Sequence, residues 1–164
     1  MNFYEDQGVH PVDAERTHYT IELTEKDVGA QVVLFGWAHI LRDKGGIKFL
    51  ILRDERGVIQ VAIPQKKVPV EVFEVAGNLG AEFAVEVRGE VVSSKFTESG
   101  IEILPTSLKV INTAERLPID VVEGKADIDL DTRLNYRILD LRKPRVNAVF
   151  RIQHCLARFS REYL

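Results

Sequence analysis

The stretch at residues 36–60, GWAHILRDKGGIKFLILRDERGVIQ, limits what this chain can fold into more than any other part of it. Apolar runs alternate there with two polar, glycine-containing turns at 43–46 and 54–57. Glycine supplies the backbone freedom that a tight reversal between strands needs. The stretch therefore predicts three successive β-strands, of which the second lies at 47–53 and the third at 58–63.

Two residues of these strands are candidates for ligand binding. Both faces of the second strand are largely apolar, so one face packs into a core and the other is available for another role. Phe49 lies on this strand, and an aromatic ring on a strand face can stack on a nucleic acid base. Gln60 lies on the third strand, and its amide offers an acceptor and donors with which to read a base edge. The alternative interpretation is that Phe49 belongs to the core and Gln60 is merely exposed.

The sequence around this stretch adds two more strands and a short helix. The first strand is expected at 31–41 and contains Gly36, which predicts a bulge or bend. Apolar spacing predicts a helix at 70–79, and alternation resumes at 81–92 and 101–111. Five strands with a short helix between the third and fourth predict a mainly β chain folded as an OB-fold, a partly open five-stranded barrel. OB-folds bind oligonucleotides or oligosaccharides, but small barrels also serve as plain interaction modules.

The part after the barrel has a different pattern. Residues 113–143 contain Pro118 and a run of acidic side chains, which predicts a hinge with a short helix from Asp131–Thr132 to Asp140. From Pro144 onward, apolar residues at three- and four-residue steps predict one long amphipathic helix; they are Val149, Ile152, Leu156, Phe159 and Tyr163. No partner for this stripe follows within the chain, so we expect the helix to open a second domain.

Composition narrows the class of protein. Hydrophobic residues make up 45% and charged residues 29% of the 164 residues, which is normal for a soluble globular protein. No apolar run approaches the ~18 residues of a membrane helix, and the first residues form no signal peptide. We therefore expect a cytoplasmic protein with no membrane contact. The single Cys155 excludes an internal disulfide and a cysteine-based zinc site, and we predict no metal ligands.

Charge is distributed unevenly along this chain of net charge −3. Residues 42–67 carry seven basic and three acidic side chains, and residues 133–164 carry eight basic and two acidic ones. Two such basic blocks can attract a polyanion locally. The alternative is that they are ordinary solvated faces, as charge runs usually are.

Four segments resemble aspartyl-tRNA synthetases of the archaeal and eukaryotic type. They are RTHYT at 16–20, the stretch at 36–60, GIEILP at 100–105 and DTRLNYRILDLRKPRVNAVFRI at 131–152. The resemblance covers residues 16–164. It implies an anticodon-binding OB domain at 16–112, a hinge at 113–143 and, at 144–164, the first helix of a truncated class II catalytic domain. Residues 1–15, ahead of this range, are expected to form an irregular extension.

The resemblance also implies an anticodon-binding set. In the family, the residues matching Arg42, Phe49, Gln60 and Glu102 contact anticodon bases. The Phe stacks on a base, and the Gln reads the central uracil or its neighbour. The alternative is that Arg42 is a solvated cation beside a turn and Glu102 an exposed strand residue.

Two further residues bear on the third anticodon base. Family members that reject tRNA-Asn tend to carry Trp at the position of His39 and Lys near that of Glu98. His39 and Glu98 therefore predict relaxed recognition of the third base, which is cytosine in one tRNA and uracil in the other. The alternative is that His39 is a polar residue of a barrel strand.

The expected partners are tRNA-Asp and, with relaxed third-base recognition, tRNA-Asn. The motifs that bind ATP in class II catalytic domains are absent, so we predict no catalytic residues and no cofactor in this chain. ATP and Mg²⁺, like homodimer formation, are expected of full-length aspartate–tRNA ligases in the family. A second hypothesis is a stand-alone OB module that binds single-stranded nucleic acid or a protein partner without catalysis.

Overall fold

The computed structural model describes residues 15–122, 124 and 128–164. The strands are β1 (Gln31–Asp43), β2 (Ile47–Arg53), β3 (Val58–Pro64), β4 (Ala84–Ser93) and β5 (Ile101–Asn112). The α-helices are α1 (Val70–Asn78), α2 (Leu130–Asn135), α3 (Arg137–Asp140) and α4 (Pro144–Tyr163). The chain divides into two compact units, residues 1–115 and 116–164. The predicted irregular extension lies outside the described residues, apart from Glu15.

Strands β1 to β5 close into a barrel in the order β1-β2-β3-β5-β4. β1 pairs antiparallel with both β2 and β4, and β4 pairs antiparallel with β5. The barrel closes where β3 runs parallel to β5, with Val61 opposite Ile103. With α1 inserted between β3 and β4, this is the topology of an OB-fold, and the predicted fold class is confirmed.

Alternation along the strands fills the barrel with aliphatic side chains. In β2, Leu50 and Leu52 are completely buried, and the helix α1 covers the interior with Val72 and Ala76. Burying a side chain of this size contributes about 1.5–3 kcal/mol. The completely buried interior also includes Leu34, Ile63, Val85, Val87, Val91 and Ile103.

Gly36 is required by a close approach between strands. A Cβ at this position would lie 2.4 Å from the carbonyl oxygen of Arg53 on β2, which no real contact allows. The irregularity of β1 lies further along, where its register with β2 shifts between Ala38 and Ile40. The predicted bulge is therefore displaced from Gly36, and His39 is the extra residue.

Strand β4 begins at Ala84, later than the alternation from residue 81 predicts. Glu82 has a φ of 64°, in the left-handed region, and its N–H donates to the carbonyl of Ala38 at 2.7 Å. The chain therefore turns at Glu82 before it enters the strand. An alternating pattern carries no signal for such a turn, which is why the prediction began too early.

The turn between β2 and β3 is tied to the segment before β1. The Asp54 carboxylate accepts N–H bonds from Thr20 (2.7 Å), Arg56 (2.8 Å) and Gly57 (2.9 Å). Burial alone raises the pKa of this carboxyl, but the hydrogen bonds outweigh burial and leave the pKa below its ordinary value.

In the second unit, the predicted short helix is two helices. Asp129 caps α2 by accepting a bond from the N–H of Thr132 at 2.9 Å, so the helix starts before the predicted Asp131–Thr132. Tyr136, with φ −109° and ψ 40°, separates α2 from α3. Because both segments have helical spacing, the sequence did not reveal the interruption.

A buried carboxylate joins α2, α3 and the start of α4. Asp140 is completely buried and pairs with Arg133 and Lys143, each at 3.1 Å. Burial raises the pKa of Asp140, but the two cations outweigh it and the pKa is lowered. Helix α4 is amphipathic, as predicted, and the five residues of its predicted apolar stripe are exposed. None of the helices in the described residues has the length and apolar character needed to cross a membrane.

Candidate nucleic-acid interface

Phe49 lies on the outer face of β2. Its neighbour Leu50 points into the barrel, whereas Phe49 is half-buried and does not belong to the core cluster. Across the strands it pairs with Arg42 on β1 and Ala62 on β3. A half-buried ring on an outer strand face is available for stacking on a base.

Gln60 and Glu102 lie side by side on β3 and β5. Gln60 Nε2 donates to Glu102 Oε2 at 2.9 Å. Each residue precedes one of the paired residues Val61 and Ile103, which point inward, so both point outward. The bond uses one amide hydrogen of Gln60 and leaves the other hydrogen and the amide oxygen for a ligand.

Four predicted residues form one surface, which we call the strand face: Arg42, Phe49, Gln60 and Glu102. Gln60 lies opposite Ile51, the next outward residue after Phe49, so Phe49 and Gln60 are diagonal neighbours. Diagonal neighbours on paired strands are about 7–8 Å apart. The strand face therefore presents an exposed cation, an aromatic ring, an amide and a carboxylate on four neighbouring strands, β1, β2, β3 and β5.

His39 lies in an ion cluster. Its Nδ1 is 3.2 Å from Arg53 Nη1 and 3.3 Å from Glu82 Oε1, and Arg53 Nη2 donates to Glu82 Oε2 at 2.6 Å. The same Nδ1 faces both partners, so it accepts from Arg53 in one imidazole tautomer and donates to Glu82 in the other. The Arg53 guanidinium lies over the ring of Trp37, with its Cζ 5.5 Å from the ring centroid. With 15% of its side chain exposed, His39 has its orientation set by these neighbours.

Glu98 lies elsewhere, in the loop at 94–100 between β4 and β5, and is exposed. The N–H of Ser94 donates to the carbonyl of Gly100 at 2.8 Å and closes the base of this loop. Glu102 follows two residues later on β5, so the loop joins the end of the strand face that carries Glu102.

The same loop carries a residue that the sequence analysis missed. Phe96 is 93% exposed. The available signal was an aromatic residue within the polar segment SSKFTESG. Phe96 fits neither an alternating nor a helical apolar pattern, so these patterns assigned it no role.

The described residues do not fit the ATP and Mg²⁺ that the family implies. Within 15–122, 124 and 128–164, no group of three or more His, Cys, Asp or Glu side chains could hold a metal ion. A depression of about 230 Å³ beside β1 is lined by Tyr19, Phe35, Trp37 and Asp54 among others. Of the two carboxylates that line it, Asp54 is engaged by backbone N–H groups and Glu55 pairs with Arg56 at 3.6 Å, so the depression does not resemble a nucleotide–metal site.

Residues 32–111 match the model of the family described as OB-fold nucleic acid binding domain. The matched range runs from the start of β1 nearly to the end of β5, in agreement with the closed barrel. Fold, strand face and family match together define the class of protein as an OB-fold nucleic acid binding domain.

The relatives narrow this class. The chain is 42% identical over 147 residues to aspartate–tRNA(Asp/Asn) ligase of Archaeoglobus fulgidus, covering 89% of this chain and 34% of the relative. It is 43% identical over 149 residues to aspartate–tRNA(Asp) ligase of Pyrococcus abyssi, with 90% and 34% covered. The chain belongs to the aspartate–tRNA ligase family and spans about a third of the length of these relatives.

Solved structures agree with this assignment. Asparaginyl-tRNA synthetase from Pyrococcus horikoshii matches with a TM-score of 0.79 at 30% identity, over 92% of this chain and 34% of that chain. An OBody bound to hen egg-white lysozyme matches with a TM-score of 0.60 at 32% identity, over 65% of this chain and 98% of that chain.

Proposed function

We propose that this chain binds tRNA-Asp and reads its anticodon with the strand face. The observation that carries the proposal is the Gln60–Glu102 hydrogen bond on the outer surface of the barrel, beside Phe49. The match to an OB-fold nucleic acid binding domain and the names of the relatives support RNA as the ligand.

The hydrogen bond gives Gln60 a direction. A flipped amide would set its oxygen against the carboxylate of Glu102, so the bond holds the amide oxygen and the second amide hydrogen toward a ligand. Uracil matches this pair because its N3–H donates and its adjacent carbonyl accepts. Cytosine held in the same position would set its N3 acceptor against the amide oxygen and would bind less favourably there. Phe49 stacks on the same base or its neighbour, and Arg42 supplies a cation at the opposite end of the face.

Gln60→Ala tests this reading. We expect wild-type protein to bind an anticodon stem-loop with central uracil at least about tenfold, or ~1.4 kcal/mol, more tightly than one with central cytosine. The variant should lose most of this ratio, since it lacks the directed amide. Gln31→Ala, at an exposed site at the start of β1, is the matched control and should keep it. A Gln60→Ala variant with the wild-type ratio would refute the role of Gln60.

For the third base, we propose relaxed recognition through His39 and Glu98. The ion cluster around His39 fixes a small ring where, by the family resemblance, members that reject tRNA-Asn tend to carry Trp, and Glu98 supplies no cation. We place Phe96 on the same loop as a stacking surface. The relative named for tRNA(Asp) and the one named for tRNA(Asp/Asn) have nearly the same sequence identity to this chain, 43% and 42%. Overall identity therefore does not distinguish strict from relaxed recognition, and the proposal rests on His39 and Glu98. Two transcripts that differ only in cytosine or uracil at the third position should bind nearly equally; a preference for cytosine above about tenfold would refute relaxed recognition.

In the longer proteins of the family, we infer that this part delivers tRNA to an ATP- and Mg²⁺-dependent aspartate ligase that is dimeric and cytoplasmic. A second candidate function is protein binding by the barrel, favoured by the OBody bound to lysozyme. Competition separates the two: in an anticodon reader, excess stem-loop RNA should displace any partner held on the strand face.

A further inference from the structure

Two connecting segments meet at one end of the barrel, beside the strand face. The first is the loop at 44–46 between β1 and β2, and the second is the turn at 65–68 after β3. The N–H of Gln65 donates to the carbonyl of Gly46 at 3.0 Å, and Ile47 pairs with Pro64. Lys44 on the first segment and Lys66 and Lys67 on the second therefore share one edge.

Backbone hydrogen bonds hold both segments in place. The N–H of Lys44 donates to the carbonyl of Ile47 at 3.0 Å, and the loop turns at Gly45, which has a φ of 75°. The N–H of Lys67 donates to the carbonyl of Pro64 at 2.9 Å. The buried Val68 anchors the second segment in the core. The positions of the three lysines are thus set by the fold.

The three side chains are exposed cations. Within the described part of the chain, none of them forms an ion pair, although nearby Lys48 approaches Asp43 at 3.9 Å. The carboxylates on the adjoining β1 end and α1 are Asp43, which accepts the N–H of Gly45, and the exposed Glu71 and Glu74. Exposed Arg42 adds a fourth positive charge. Like charges at one edge repel one another, which an anionic ligand would relieve.

We propose that Lys44, Lys66 and Lys67, here called the lysine ridge, bind the sugar–phosphate backbone of the RNA whose anticodon the strand face reads. Ile47, at the base of the ridge, is two residues from Phe49, or about 7 Å along β2. An RNA strand with one base stacked on Phe49 therefore continues over the lysine ridge. Lysine ammonium groups bind phosphate as point charges without reading sequence. This inference rests on the proposed function.

The test is the salt dependence of binding. Each phosphate neutralised contributes about 0.7–0.9 to the slope of log affinity against log salt. The triple variant Lys44→Ala, Lys66→Ala, Lys67→Ala should therefore lose about 2 from this slope with stem-loops of any anticodon. The control is Lys109→Ala, an exposed lysine on β5 opposite Glu86, which should leave the slope unchanged. Thermal melting checks that each variant folds, and replacement of the three lysines by Arg should restore the slope.

A triple variant with the wild-type slope would overturn the lysine ridge. So would a loss confined to one anticodon sequence, because phosphate contacts carry no base preference. These outcomes are distinct from failure of the proposed function. If the strand face does not read the anticodon, wild-type protein shows no preference for central uracil, while the triple variant still lowers the salt-dependence slope. If only the ridge is wrong, the preference persists and the slope does not change.

Discussion

At the scale of single residues, Phe49 and Leu50 show how adjacent positions take different roles. Leu50 is completely buried, whereas Phe49 lies outside the core. We expect Phe49→Ala to weaken RNA binding by about 1–3 kcal/mol, the usual loss for a base-stacking ring. The variant should melt close to the wild type. Titration of a fluorescent stem-loop and thermal melting measure the two effects.

Leu50→Ala is the matched control for this prediction. It removes a core side chain and should cost about 2–5 kcal/mol of unfolding free energy. RNA affinity should be retained wherever the variant is still folded. If instead Phe49→Ala unfolds the protein, or if folded Phe49→Ala binds RNA as tightly as wild type, the stacking role is wrong.

Asp54 gives a pH-dependent prediction. Its carboxylate accepts backbone N–H bonds, and its pKa is lowered in the folded state. The stabilisation is therefore fully present above the unfolded pKa of about 3.9 and is lost as pH falls through the lower folded pKa. Asp54→Asn should cost about 2 kcal/mol at neutral pH. The difference from wild type should shrink below about pH 4.

Denaturant unfolding at a series of pH values measures this effect. Glu55→Gln is the control, because the Glu55 side chain lies in the same turn and is 64% exposed. It should unfold with wild-type free energy near neutral pH. A difference between Asp54→Asn and wild type that is independent of pH would show that the charge of Asp54 is not what stabilises the turn.

At the scale of the elements, the packing of β1 against β2 depends on Gly36. A Cβ there would collide with the backbone of Arg53, whereas one at Gly46 would meet no atom of the described residues within 4 Å. Gly36→Ala should therefore cost about 1–3 kcal/mol, as overpacking does, while Gly46→Ala should be nearly neutral. Comparative thermal melts decide this. Equal melting temperatures for the two variants would contradict the close approach.

The elements also show what sequence can predict. The bounds of β2 at 47–53 agree with its apolar run and flanking turns, because both signals are local. The role of Gly36, the turn at Glu82 and the division between α2 and α3 were missed. The first depends on a carbonyl of another strand, the second on one left-handed residue and the third on Tyr136.

At the scale of the molecule, five strands with an inserted helix were enough to predict the barrel, because turn residues and apolar alternation are local sequence signals. The candidate site was only partly predictable. Stacking and base-reading roles for Phe49 and Gln60 follow from residue chemistry. The Gln60–Glu102 bond and the ion cluster of His39 needed strand pairings far apart in sequence. Arg42, Glu102, His39 and Glu98 were singled out through the family resemblance, and their roles remain predictions.

The central claim is that this chain reads an anticodon. The most direct measurement is the dissociation constant of the 164-residue chain for two tRNA-Asp transcripts that are identical except at the three anticodon positions. The natural anticodon should bind at least about tenfold more tightly than the replaced one, at a salt concentration where both are measurable. Equal dissociation constants would contradict anticodon reading and would leave sequence-independent binding by the barrel.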